Sequence, residues 1–515
     1  MKNTTFLLII ALSLLVSCSN KPSPVSTLVI GIEGSPVNLD PRYATDAYSE
    51  QISRLCFEGL MGFRRNGRLE PLLAERVDIR NNTTVSFLLK KDITFQDGSP
   101  FTATDVTATI SSVIKSSTYS PYKEALSHIK DISIVNPYSL VVHLREPYAP
   151  ILTSLVMGIL PRRLAYKNVI PADGLIGTGP YRISGYKQAR YVELKSYPGY
   201  RDGPPHINDI IFRIIPNDLT RVLELKKGSI DLLVNAVPPD AVNSLLEDKH
   251  VRVIAGTGNN YEYLGFNMRD PVLRIKKVRQ AIAHAINRQA LIRYVLFNQA
   301  QPATGILPPW NRAYNPDVVQ YNYDPDKAKR LLDQAGFPEK QGYRFTLDYK
   351  TSDNPLSIRV AQAIAYQLEQ VGIKVDLRSY EWATFYNDIR HGNFQIYTLR
   401  WVGVMDPDIF YYAFDSRAVP PYGANRGYYS NPDVDRLIDQ ARSLLDINKS
   451  LPIYLRIQGI IAEDLPYVSL WYMKDITAMR DRLRDFKPFP GGGYEGLEKA
   501  SFKDTAITAT KALRN

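Results

Sequence analysis

Histidine and cysteine, from which most metal centres and many catalytic sites are built, are scarce in this chain: its 515 residues include six of the first and two of the second. The histidines (His128, His143, His206, His250, His284 and His391) show no ligand spacing, so no resident metal is expected. There is no Gly-x-Ser-x-Gly elbow, no His-Glu-x-x-His pair and no Walker loop. No catalytic residue or cofactor follows from the sequence, and an enzyme is not the expected reading. Long apolar runs are missing as well. Beyond the N-terminus the best candidate, Ala149 to Leu160, falls short of the ~20 residues that span a bilayer and reads as a buried segment.

What remains is an ordinary globular composition, 44% hydrophobic and 22% charged, too long for one core and sized for two or three domains. The 63 basic and 52 acidic residues leave a charge of +11, which raises nucleic acid, an anionic membrane surface or an anionic ligand as partners. Lys and Arg are scattered, with only short groups such as Lys276-Lys277 and Arg480 to Arg484. That distribution reads as a mildly basic solvated surface, and no nucleic-acid partner is expected.

The most informative stretch runs from Leu69 to Ile114. Val85, Phe87 and Leu89 alternate as a half-buried strand, Asp97-Gly98 turns the chain, and Thr102 with Asp105 forms a capping-box variant. Val106, Ile110, Val113 and Ile114 then share one helical face. Further on, Asp324, Pro325 and Gly336 bracket a helix carrying Ala328, Leu331, Leu332 and Ala335. Asn354-Pro355 opens another, which ends at Gly372. Strand patterns at Leu28 to Ile32, Asp209 to Ile215 and Lys374 to Arg378 alternate with these helices, which argues for open sheets flanked by helices. Gly177, Gly179 and Pro180 suit a tight turn into a strand. No helix pattern follows them, so a phosphate loop is not indicated.

At the N-terminus Lys2 precedes the apolar run Phe6 to Val16, and Leu15-Val16-Ser17-Cys18 is followed by polar residues and Pro22. This is a secretory signal, too short to span a membrane. LVSC resembles a bacterial lipobox. That resemblance implies a signal over 1–17, lipid on Cys18, a tether over 18–26, and a protein held outside the cytoplasm. An ordinary signal with an incidental cysteine is the other reading. With Cys18 lipidated, Cys56 is the only thiol left and no intrachain disulfide can form. Lying between Leu55 and Phe57, it reads as a small buried apolar residue.

LAERV followed by VSFLLKKDITFQDGSPFTATDV resembles the signature of the large solute-binding proteins that feed peptide and nickel ABC transporters. GTGPYRI (177–183), YLGFN through VRQAIAHAINRQALI (263–292) and YDPDKAKRLLDQAGF (323–337) match in the same order. The resemblance implies an α/β, two-lobe periplasmic-binding-protein-like fold with mixed sheets and an extra subdomain in the first lobe. Lobe I is expected over 27–50, 172–260 and 475–515, its subdomain over 51–171 and lobe II over 261–474. It further implies a monomeric receptor that takes a peptide-like or other small solute and delivers it to ABC permease subunits.

Such a cleft needs aromatic walls and fixed charges. The aromatic candidates are Trp310, Trp401 and Tyr412, any of which could instead be core. Glu33, in the turn after the first strand, is a cleft or a surface carboxylate. Arg359, in the first turns of its helix, is either a ligand-carboxylate anchor or an exposed helical arginine. In the family's dipeptide binders an acid a few positions after Trp-x-Gly holds the ligand amine. Here Trp401-Val402-Gly403 runs through Val404-Met405 to Asp406-Pro407-Asp408, and the usual acid is replaced. Either Asp406 takes over that role, with Asp408 beside it, or the ligand has no ammonium there. A metal complex or a sugar therefore stays open beside a peptide.

Overall fold

The computed structural model describes residues 27–503; the signal, Cys18 and the tether lie outside the described residues. One mixed sheet carries the chain through both lobes. Its strands lie in the order Ile373–Tyr380, Phe345–Ser352, Ile396–Trp401, Val251–Phe266, Tyr467–Arg480, Leu232–Val234, Thr27–Ile32, Asp209–Ile214, Tyr191–Ser196 and Tyr181–Lys187. Thr27–Ile32 pairs in parallel with both neighbours and seals Leu28, Ile30 and Ile32, as expected of a parallel strand in the middle of a helix-covered sheet.

Two long antiparallel strands, Val251–Phe266 and Tyr467–Arg480, join the halves. At one end they bond Leu232–Val234 through Thr477, Ala478 and Met479; at the other they bond Ile396–Trp401. Their register slips between Thr257 and Asn260, and such an irregularity bends and twists a ladder locally. Gly258 sits in the slip, where a Cβ would lie 2.4 Å from the Met473 carbonyl. The sequence pattern puts the crossing at Tyr261; the slip falls a few residues earlier because the first lobe's ladder continues to Thr257.

Between the first strand and residue 160 a four-stranded antiparallel sheet, Ala74–Arg80, Thr84–Leu89, Ser139–Leu144 and Ile129–Asn136, forms its own layer. Helix Ala103–Lys115 covers it with Val106, Ile110 and Val113, and the Thr102–Asp105 capping box is formed. Helix Ala47–Cys56 and residues Leu160, Leu164 and Leu175 pack instead into the first lobe's core. Gly177 and Gly179 are required by close approach: a Cβ on either would meet the carbonyl of Cys56 or Leu55 at 2.1 or 2.6 Å. Cys56 is fully buried, and burial raises its thiol pKa far above the usual range. In the second lobe helices Pro325–Gln334 and Pro355–Glu369 start at the Asp324 and Asn354 caps read from the sequence. His284 is a packed histidine, its Nδ1 2.6 Å from the Asn322 carbonyl, with burial lowering its pKa. Among the described residues no helix is long and apolar enough to cross a membrane.

Lobe and subdomain are tied by Arg201 and Glu58, which pair at 2.5 Å, and by the buried Arg42–Asp40 pair. Arg42 donates to Asp40 through Nε (3.0 Å) and Nη2 (2.7 Å), and its Nη1 reaches the Ala165 carbonyl and Ser112 of helix Ala103–Lys115. Both residues are sealed, so removing one strands the other's charge. Asp40→Ala is expected to cost about 3–5 kcal/mol in urea unfolding; a loss below about 1 kcal/mol would show that this pair does not hold the junction.

Candidate functional site

In open α/β sheets ligands bind in the crevice beyond the carboxyl ends of the parallel strands. In the second lobe those strands are Phe345–Ser352, Ile373–Tyr380 and Ile396–Trp401. In the first they are Thr27–Ile32, Asp209–Ile214 and Leu232–Val234. The residues that follow these ends are therefore the candidates for meeting a solute.

On the second lobe they build an aromatic wall around one arginine. Helix Trp382–His391 begins right after its strand, capped by the Glu381 side chain on the Ala383 and Thr384 amides. Trp382 and Tyr386 are one turn apart and stack with centroids 5.5 Å apart. Trp401 ends its strand and meets Tyr412 edge-on at 5.9 Å. Between these rings lies Arg426, its guanidinium 4.9 Å from the Trp401 ring and 5.5 Å from that of Tyr386. The turn carrying it is pinned by Asn425, whose amide donates to the Asp415 and Tyr429 carbonyls, and by Gly427, whose carbonyl accepts from the Met268 amide.

Arg426 is 6% exposed. Among the described residues its guanidinium donates only to the hydroxyls of Tyr263 (3.4 Å) and Tyr386 (3.3 Å), both long contacts. Among the described residues no Asp or Glu pairs with it. The indole N–H of Trp401 is buried and has no acceptor. Burial raises the phenols of Tyr263, Tyr397 and Tyr467, so all three stay neutral. Burial also raises that of Tyr412, opposed by Arg426 and Arg390.

The two aspartates point to a different task. Asp408 lies 2.8 Å from the Arg442 guanidinium, and Arg442 stacks on Tyr411 at 3.6 Å and donates to the Tyr148 hydroxyl of the subdomain at 2.9 Å. Burial, aided by Asp406 and opposed by Arg442, pushes Asp408 up to about 8. Burial also raises Asp406, against hydrogen bonds from the Asp408 amide and the subdomain's Thr153. Beside them the Ala149 amide donates to the Arg442 carbonyl at 2.6 Å, and Leu445 enters the subdomain's core. Asp406 and Asp408 thus sit at a contact that folds the subdomain onto the second lobe.

The remaining candidates are spread over the molecule. Trp310 donates to the Thr257 carbonyl at the strand slip (3.2 Å), and its ring lies where a Cβ on Gly67 of the subdomain would be, 2.6 Å away. Glu33, at the carboxyl end of the first strand, receives the fully buried Arg221 at 2.8 Å and the Tyr48 hydroxyl at 3.2 Å. Arg359 is not on the wall: it is exposed on helix Pro355–Glu369, in a groove with Tyr294 and Tyr366. Sequence reasoning missed Arg426, Arg442, Tyr386 and Trp382. One signal for Arg426 was present, since residues 416–432 hold arginines but no acid.

Two lobes on a paired-strand hinge, a crevice at their strand ends and a subdomain reaching across define a two-lobed solute-binding protein. The chain belongs to the bacterial extracellular solute-binding proteins, family 5, whose middle-region model matches residues 68–420. It is 26% identical to the oligopeptide-binding protein AppA of Bacillus subtilis over 93% of this chain and 92% of that one. It is 26% identical to the glutathione-binding protein GsiB of Escherichia coli over 97% of both. The structure of AppA in complex with a nonapeptide superposes with a TM-score of 0.77 at 25% identity, covering 93% of this chain and 99% of AppA. That of NikZ from Campylobacter jejuni with Ni(L-His) gives 0.80 at 25% identity, covering 93% of this chain and all of NikZ. This is therefore an ABC-transporter binding protein of the peptide and nickel type, from a family that works outside the cytoplasm.

Gly67 tests the subdomain contact. Its φ is +71° and a methyl there meets the Trp310 ring, so Gly67→Ala is expected to push the subdomain off the second lobe. Scattering should report a larger radius of gyration for the variant; an unchanged profile would mean that this contact does not hold the lobes together.

Proposed function

We propose that this chain is a lipid-anchored receptor of an ABC importer that closes its two lobes around a peptide-like solute and delivers it to the permease. The observation that carries the reading is the paired-strand slip at Thr257–Asn260, with the subdomain folded across the crevice through Tyr148, Ala149 and Arg442. A bend confined to two strands lets each lobe move as a rigid body, the usual basis of hinge closure around a ligand. The aromatic wall suits the apolar parts of a solute, and binding needs no chemical change in it.

The relatives' ligands support a solute of this class. AppA holds a nonapeptide, GsiB is named for glutathione and NikZ holds Ni(L-His). All three ligand types carry carboxylates. The two aspartates lie at the lobe contact, which leaves room for a metal complex as cargo as well as for a peptide.

Adding a tryptic peptide mixture, or the same mixture after N-acetylation, should shrink the radius of gyration and raise thermal stability, by about 2.7 kcal/mol where a ligand stands at 100 times its Kd. Unchanged scattering together with an unmoved melting transition would argue against closure. The anchor is tested apart from this. Cys18→Ser is expected to move the protein from the membrane to the soluble fraction, and a variant that stays membrane-bound would exclude lipid on that residue.

A further inference from the structure

Around the wall three acids are each paired with a cation, whereas Arg426 is buried with no acid beside it among the described residues. Glu262 pairs with Arg400 at 2.8 Å, Asp388 with Lys350 at 2.8 Å, and Asp408 with Arg442 at 2.8 Å. Asp406 is buried against Thr153 and the Asp408 amide. Arg426 has only two long hydroxyl contacts for five N–H groups, and the Trp401 indole N–H beside it has none. Arg390 is near enough to act on the same Tyr412 phenol. The region thus holds an excess of donors and positive charge with no acceptor to take them up, and in a native structure buried polar groups of that kind find a partner.

We propose that Arg426, with the Trp401 indole N–H, is the anchor for a ligand carboxylate, and that the site holds its solute by that anion without gripping an ammonium. This rests on the solute-receptor reading and narrows its ligand to carboxylates whose amine is blocked, masked or absent. Arginine presents a planar fork that matches a carboxylate and stays charged at every working pH. One guanidinium balances one negative charge, which favours a monoanion over a phosphate dianion. The aromatic faces of Trp401 and Tyr386 on either side leave the fork's edge as the part that meets the anion, and they shield that contact from water. Beside Arg426 itself no acid stands to meet an ammonium among the described residues, and the guanidinium would repel one.

Matched probes on one scaffold decide it: an aromatic tripeptide with free ends, its N-acetyl acid, its N-acetyl C-amide, and inorganic phosphate. Binding is read by calorimetry and by tryptophan fluorescence, since Trp401 lies against the anchor. The N-acetyl acid should bind at least as well as the free peptide and about 30-fold or more tighter than the amide, with phosphate weaker than the acid. In Arg426→Gln the acid and amide should bind alike, and Arg426→Lys should recover part of the difference. The proposal is overturned if the acid binds no better than the amide, including the case where neither binds, or if acetylation costs about 30-fold while amidation costs nothing. The wild-type comparison stands even if the glutamine variant does not fold. If the free peptide binds and compacts the protein but needs its amine, the receptor reading survives and this inference alone fails.

Discussion

The structure depends on a constraint of connection: its two central strands must serve both lobes at once. Val251–Phe266 and Tyr467–Arg480 supply ladder hydrogen bonds to the first lobe at one end and to the second at the other. Each lobe therefore has an edge built from the same chain segment, and the ladder between the two strands slips around Gly258 and again between Glu262 and Tyr263. The candidate crevice is arranged about this bend. The carboxyl ends of the parallel strands lie in each lobe, and Trp310 reaches back to the Thr257 carbonyl beside the slip.

A second constraint follows from the subdomain. Its core is separate, yet Tyr148, Ala149 and Thr153 meet Arg442, Asp408 and Asp406 of the second lobe. This contact is polar at its centre and apolar at Leu445 and Tyr411. A junction of that mixed character resembles a transient interface more than a core, and intrachain interfaces of this type permit relative motion.

Much of the fold was legible in the sequence because local signals and global structure agree. The Thr102–Asp105, Asp324-Pro325 and Asn354-Pro355 caps all start helices where the pattern places them. The site was harder to read. Arg359 looked apt because helix N-termini and guanidinium groups both favour anions, but periodicity does not say which helical face meets the crevice. The Asp406–Asp408 pair was visible as chemistry, whereas its partner Arg442 is remote in sequence. Arg426 was obscure for the same reason: its isolation depends on Glu262, Asp388 and Asp408 being engaged elsewhere, and no linear pattern shows which acids are already spoken for.

The enclosed guanidinium has a bearing on how a transport system avoids idle cycles. Sealing a lone cation away from water carries a desolvation penalty of several kcal/mol, and at 6% exposure Arg426, enclosed by Tyr263, Tyr386 and Trp401, bears much of it. An anion bound there as proposed would offset that penalty, so cargo and an enclosed guanidinium would favour one another. A receptor built this way would let a membrane partner respond to shape in place of contents, because the charge at the crevice would make the shut form a report of occupancy.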